Sequence, residues 1–179
     1  MKVLTAFVII IFTRVYGKSL LLMGEKVTDC TKDGAKFGNW SRVQFEYVND
    51  TTYYLNGIFK VERKIKKPWK MHYYIERFDR GSWHMAIMDR VIPDFCKVMA
   101  DPKAPWSVFV NHLRQKQCPF EEGYEQKFDM EYVKESILPE YYGLGMMGQY
   151  RVFCVSHFLE QDGNIFEECL KLTFDIVYL

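Results

Sequence analysis

Apolar and polar residues alternate with a period of two through most of the chain. Val43, Phe45 and Tyr47 alternate with Gln44 and Glu46. Leu55, Gly57, Phe59 and Val61 alternate with Asn56, Lys60 and Glu62, with Ile58 the exception. Met71, Tyr73 and Ile75 make a third run, and Phe128, Met130 and Tyr132 alternate with Lys127, Asp129 and Glu131. Tyr150, Val152, Cys154 and Phe158 share one parity, and Leu170, Leu172, Phe174, Ile176 and Tyr178 alternate with Lys171, Thr173 and Asp175. Successive side chains of a strand point to opposite faces, so each run predicts a strand with one wet and one buried face. Antiparallel sheets tolerate that arrangement. Turn-forming clusters punctuate the runs at Asn49-Asp50, Asp79-Arg80-Gly81-Ser82 and Gln161-Asp162-Gly163-Asn164, the last as the loop of a hairpin.

The middle of the chain breaks the pattern. Ile92, Phe95, Cys96 and Met99 have helical spacing, with Pro93 where a first turn tolerates it. Trp106, Phe109, Val110 and Leu113 predict a second short helix after Pro105. Two groups of strands around a short helical insert predict a mainly β protein, an antiparallel sandwich or cup. An α/β sheet is disfavoured because helices do not alternate with strands.

The segment from Ile137 to Gly148 fits neither pattern. Pro139 and the glycines at 143, 145 and 148 oppose regular structure, yet Tyr141, Tyr142, Leu144, Met146 and Met147 are large and apolar. Leaving such side chains in water costs about 25 cal/mol per Å². The segment is therefore expected either to fold over the core or to form an entry loop over a hydrophobic cavity, for which methionine is an adaptable lining.

The chain's first residues carry a different signal. Lys2 is followed by an uncharged apolar run from Val3 to Thr13, and Val15 and Gly17 are small enough for a signal peptidase site. Residues 1–17 thus have the three-part pattern of a secretory signal peptide. The run is too short for a bilayer-spanning helix, which needs roughly 20 apolar residues. Residues 18–179 are expected to form one soluble domain, secreted and extracellular. The whole chain has 24 Lys+Arg and 23 Asp+Glu; removing Lys2 and Arg14 leaves 22 against 23, a formal charge of −1. Nothing in that balance forms the basic patch that nucleic-acid binding requires. Aromatic residues make up 17% of the chain, which favours a β-rich core.

Export changes how the cysteines are read. Cys30, Cys96, Cys118, Cys154 and Cys169 would all meet an oxidising environment, where disulfides are the default, and the odd count leaves one over. Asn39-Trp40-Ser41 and Asn49-Asp50-Thr51 are acceptor patterns for N-glycosylation.

Candidate chemistry is sparse. His72, His84, His112 and His157 lack metal-ligand spacing, so no metal is expected. No serine sits in a nucleophile elbow, and no phosphate-cradling glycine loop is followed by Lys-Ser/Thr. No cofactor and no catalytic residue are predicted, and a binding protein is favoured over an enzyme.

The last third of the chain resembles the ganglioside activator family. The likeness rests on Cys118-Pro119-Phe120-Glu121-Glu122-Gly123, then Leu138-Pro139, then Gly148-Gln149-Tyr150-Arg151-Val152, a hairpin, and Cys169-Leu170-Lys171-Leu172. Upstream, Asp29-Cys30 and Phe95-Cys96-Lys97-Val98 fall where that family also places cysteines. Tyr53-Tyr54-Leu55-Asn56-Gly57-Ile58-Phe59-Lys60-Val61 is similar to a strand of the insect secreted chemosensory proteins of the CheA/CheB type. The resemblance implies a β-cup whose apolar cavity holds lipid acyl chains. It implies pairing of Cys30 with Cys169 and of Cys96 with Cys118, with Cys154 left over. Two further bridges of the activator have no cysteines here.

Function is then expected to be that of a secreted, non-catalytic carrier of a lipid or other hydrophobic ligand, in a chemosensory setting if the insect likeness holds. Inward parity nominates Phe45, Tyr47, Leu55, Phe59, Tyr73, Phe128, Met130, Val152, Leu172 and Phe174 as ligand-binding wall. Parity alone does not separate a lined cavity from a filled core. The entry loop would contact a membrane periphery or a receptor. The alternative is an extracellular interaction or coreceptor module with a filled core.

Overall fold

The computed structural model describes residues 19–24, 27–31, 37–40, 42–49, 52–104, 106–134, 146–159 and 163–178. Residues 1–18, which include the expected signal peptide, and residues 135–145, with Tyr141, Tyr142 and Leu144, lie outside the described residues. The fold is mainly β, with two antiparallel sheets, as the alternation predicts. Its elements are β1 (Ser19–Met23), β2 (Thr28–Asp29), β3 (Gly38–Asn39), β4 (Gln44–Asn49), β5 (Thr52–Val61), β6 (Trp69–Asp79), β7 (Ser82–Ile92), α1 (Phe95–Val98), α2 (Ser107–Val110), β8 (Glu125–Lys134), β9 (Gly148–Leu159) and β10 (Ile165–Tyr178).

The larger sheet runs β1, β10, β9, β6, β7, with β2 following β1 along the same edge of β10. The smaller sheet is built on β5. One edge of β5 pairs with β8; the other pairs with β4 at its start and β3 at its end. A two-residue turn joins β6 to β7, pairing Asp79 with Ser82. Its central residues, Arg80 (φ 49°) and Gly81 (φ 84°), both take the positive φ that matches the twist of a tight hairpin.

Four strands are invisible to the alternation. β1, β2 and β3 are only two to five residues long. β7 carries Ala86-Ile87-Met88 at a register shift opposite Tyr74–Glu76, so its parity is obscured. Ile92, expected to open a helix, instead closes β7, and α1 begins at Phe95.

The main core lies between the sheets. Phe37 stacks on Phe158 at 3.9 Å, joining the two layers. The helical insert plugs one side: Phe95 meets Trp69 and Trp106, and Phe109 meets Phe45 edge-on at 5.7 Å. Burying each such side chain contributes roughly 1.5–3 kcal/mol.

Cysteine pairing matches what the family resemblance implied. Cys30 is bonded to Cys169 across 139 residues, and Cys96 to Cys118 across 22. The first bridge clips the end of β2 to β10, beside reciprocal hydrogen bonds between Thr31 and the Cys169 backbone. The second ties α1 to the segment leading into Phe120, which pairs with Ile65. Cys154 is the free cysteine.

The inward parity of β8 fails at Met130. Leu55 pairs with Glu131 and Gly57 with Phe128, so Asn56 alone faces both Asp129 and Met130. This bulge adds one residue to β8 and inverts its facing from there on. Met130 takes a φ of 52° and is 48% exposed, so it turns away from the core rather than lining it.

Candidate inner-face site

Alternation and register define the inner face of the larger sheet, the one turned toward the main core. Trp69, Met71, Tyr73, Ile75 and Arg77 come from β6, and Tyr150, Val152, Cys154, Ser156 and Phe158 from β9. Phe166, Leu172, Phe174 and Ile176 come from β10, and Ala86, Met88 and Ile92 from β7. Partners in adjacent antiparallel strands share a face, so these side chains form one surface.

That surface divides in two. Toward Phe158 and Met71 it packs against the smaller sheet and the helical insert in the main core. Toward the other end it carries a second cluster of Tyr150 and Ile176 with Ile75, Ala86 and Phe174 around them. Every member of this second cluster belongs to the larger sheet. Ile75, Ala86, Phe174, Val152 and Leu172 are only half-buried. Among the described residues, then, the apolar inner face runs on past the part that the smaller sheet covers.

The predicted wall residues fall on both sides of this division. Phe45, Leu55, Phe59, Tyr73 and Phe128 are buried in the main core, where they touch other side chains. Leu172 packs at the edge of that core, Phe174 belongs to the second cluster, and Val152 pairs between Ile75 and Leu172. Tyr47 pairs with Tyr53 through its backbone, and its side chain lies outside the described residues. Ile75, Ala86 and the buried Ile176 complete the second cluster. The first and last sit in runs whose parity was legible; Ala86 lies on the strand that parity hid.

Polar groups frame the open end. Tyr150 stacks on Phe174 at 5.2 Å, and its hydroxyl donates to the Met146 carbonyl at 2.7 Å. Burial raises the Tyr150 phenol above its ordinary pKa, and the nearby Arg77 partly opposes the shift. Arg77 lies 5.8 Å from the Tyr150 ring and donates through Nη2 to the Met147 carbonyl at 2.7 Å. Of the expected entry loop, therefore, Met146 and Met147 stand directly against this cluster. Midway along the face, Cys154 packs against the main core, and burial pushes its thiol up to about 11.

A separate groove of about 650 Å³ lies at the surface beside the second disulfide, lined by Ala100, Arg114, Gln115, Lys116, Gln117, Cys118 and Pro119. It contains none of the wall residues and is no part of the inner face.

The histidines are dispersed: His72 meets Asp89 at 2.6 Å, His112 meets Glu131 at 3.3 Å, and His157 meets Glu167 at 3.6 Å. His84 meets the Ser82 hydroxyl at 2.7 Å on the exposed β6–β7 hairpin. Among the described residues, no three His, Cys, Asp or Glu side chains are grouped to hold a metal ion. No helix there is long and apolar enough to cross a membrane. Of the two glycosylation patterns, Asn39 is half-buried in β3 and Asn49 ends β4, while Ser41 and Thr51 lie outside the described residues.

No family model matches the chain, and no curated protein matches it.

Proposed function

We propose that the protein is a secreted, non-catalytic carrier that binds a lipid or similar hydrophobic ligand on the inner face of its larger sheet. The observation that carries this reading is the second cluster: an apolar stretch built from four strands of one sheet and half-buried at most of its positions. Binding there works by desolvation. Each CH₂ buried contributes about 0.8 kcal/mol, so a long acyl chain needs few polar contacts to be held. The signal-like residues 1–17 supply the route of export, and two disulfides are consistent with an extracellular protein.

A second reading has its own support. The outer face of the larger sheet exposes Met85 and Val91 by about half and Phe78 by 38%. Beside them Arg151 lies over the rings of Trp83 and Phe153 and donates to Glu76 at 2.5 Å. Exposed apolar side chains around an ordered arginine suit an interaction module.

Extraction of the purified secreted protein with organic solvent, followed by mass spectrometry, separates the two. A stoichiometric lipid is the result expected of a carrier. An empty extract, with no uptake of added fatty acid, favours the interaction module.

A further inference from the structure

The carrier reading leaves the head group open, and the charges on the inner face bear on it. Arg77 and His84 are register partners across β6 and β7, so they share a face, and it is the face of Ile75 and Ala86. Both stand at the open end. Gly148, with a φ of 141°, leaves the guanidinium room; a Cβ there would stand 3.4 Å from Arg77 Nε. Farther along β7, Arg90 partners Tyr73. On the described part of this face the register places three acids: Asp79, one pair beyond Arg77 and His84 and 3.8 Å from Arg80 Nε, Asp29 opposite Leu170, and Glu168 at the opposite end, opposite Ser156. Glu168 accepts from the Gly38 N–H at 3.2 and 3.3 Å. The apolar stretch therefore ends at Arg77 and His84, with Asp79 paired to Arg80 beyond them.

We propose that the ligand is an acidic amphiphile, a long-chain free fatty acid, with its carboxylate at Arg77 and His84 and its chain along Ile75, Ala86, Val152 and Phe174. This rests on the carrier reading. A guanidinium presents N–H groups in a planar fork that matches a carboxylate, and such charge-assisted bonds are about twice as strong as neutral ones. A fatty alcohol of equal length buries the same chain but offers no charge. The head group thus sets selectivity, and the chain sets most of the affinity.

The test is calorimetric titration of the delipidated mature protein with oleic acid and with oleyl alcohol, for the wild type, Arg77→Gln, Arg77→Lys and His84→Gln. The wild type is expected to prefer the acid by about tenfold or more. Arg77→Gln loses that preference while still binding the alcohol, which also shows that the variant is folded. Arg77→Lys keeps part of the preference. His84→Gln, at an exposed position, weakens acid binding severalfold and provides the same readout if Arg77→Gln does not fold. Equal affinity of the wild type for acid and alcohol, or a preference unchanged in the variants, overturns the head-group assignment and leaves the carrier reading standing. Failure of the wild type to bind either ligand overturns the carrier reading itself.

Discussion

The side-chain carbonyl of Asn56 accepts a hydrogen bond at 3.0 Å from the backbone N–H of Met130, across the bulge where β5 and β8 change register. The Asn56 amide also donates to Glu46 Oε1 at 2.8 Å, so one side chain holds β4, β5 and β8 together. Gly57 follows with a φ of 117°, and a Cβ there would collide with the Arg42 carbonyl oxygen. The Asn-Gly pair is thus explained by backbone geometry. Asn56→Ala is expected to lower stability by about 0.5–1.5 kcal/mol, through the loss of its solvent-exposed hydrogen bonds to the Met130 N–H and to Glu46. Gly57→Ala adds backbone strain to a steric clash and is expected to cost about 3 kcal/mol or to prevent accumulation of the protein. Urea denaturation of both variants checks this; wild-type midpoints for both would contradict it.

The two disulfides close loops of very different length. In the chain-entropy model the Cys30–Cys169 bridge stabilises by roughly 5 kcal/mol and the Cys96–Cys118 bridge by roughly 3. The double variant Cys30→Ala/Cys169→Ala is therefore expected to lose more stability than Cys96→Ala/Cys118→Ala. Comparing their thermal midpoints and secreted yields decides the order, and the reverse ranking would count against that account.

Cys154 makes a pH-dependent contribution whose sign is fixed. Its thiol is raised from an ordinary value near 9 to about 11 because burial disfavours the thiolate. Below about pH 9 the contribution is fully present. As pH rises the unfolded chain releases its proton first, so stability falls between about pH 9 and 11, by roughly 2–3 kcal/mol. Cys154→Ala is expected to show a shallower alkaline loss than the wild type. The native thiol should also resist alkylation at neutral pH until denaturant is added. Rapid labelling of the native protein at pH 7.5 would refute this environment.

Export has its own readout. Expression of the whole chain in a eukaryotic secretory host is expected to release a protein beginning near Lys18, established by N-terminal sequencing of the medium. Retention in the cells with Met1 intact would contradict secretion. Glycosidase treatment reports whether Asn39 or Asn49 carries a glycan.

Period-two alternation disclosed six strands and the two-sheet class because each of those strands has one wet face. It did not disclose β7, whose Trp83, Met85 and Val91 are apolar on the outer face, so that the strand has apolar residues on both sides. Nor could alternation foresee the inversion at Met130, since a bulge adds a residue without changing the polar pattern. The wall was legible only in part for a similar reason. Phe45 and Phe174 have the same inward parity, and only the extent of the opposing sheet separates a core residue from one on the open stretch. Arg77 carried no signal. Beside Glu76 it looks like another solvated charge, and its facing follows from its partners Tyr150 and His84.

The central claim is that the inner face of the larger sheet holds an apolar ligand. The most direct measurement is titration of the delipidated protein with a polarity-sensitive fluorescent fatty acid, for the wild type and for Val152→Trp, which fills the open stretch. A saturable one-to-one rise in emission for the wild type, strongly reduced in a folded Val152→Trp, is the predicted result. No saturable rise in the wild type, or equal binding by both proteins, would contradict the claim.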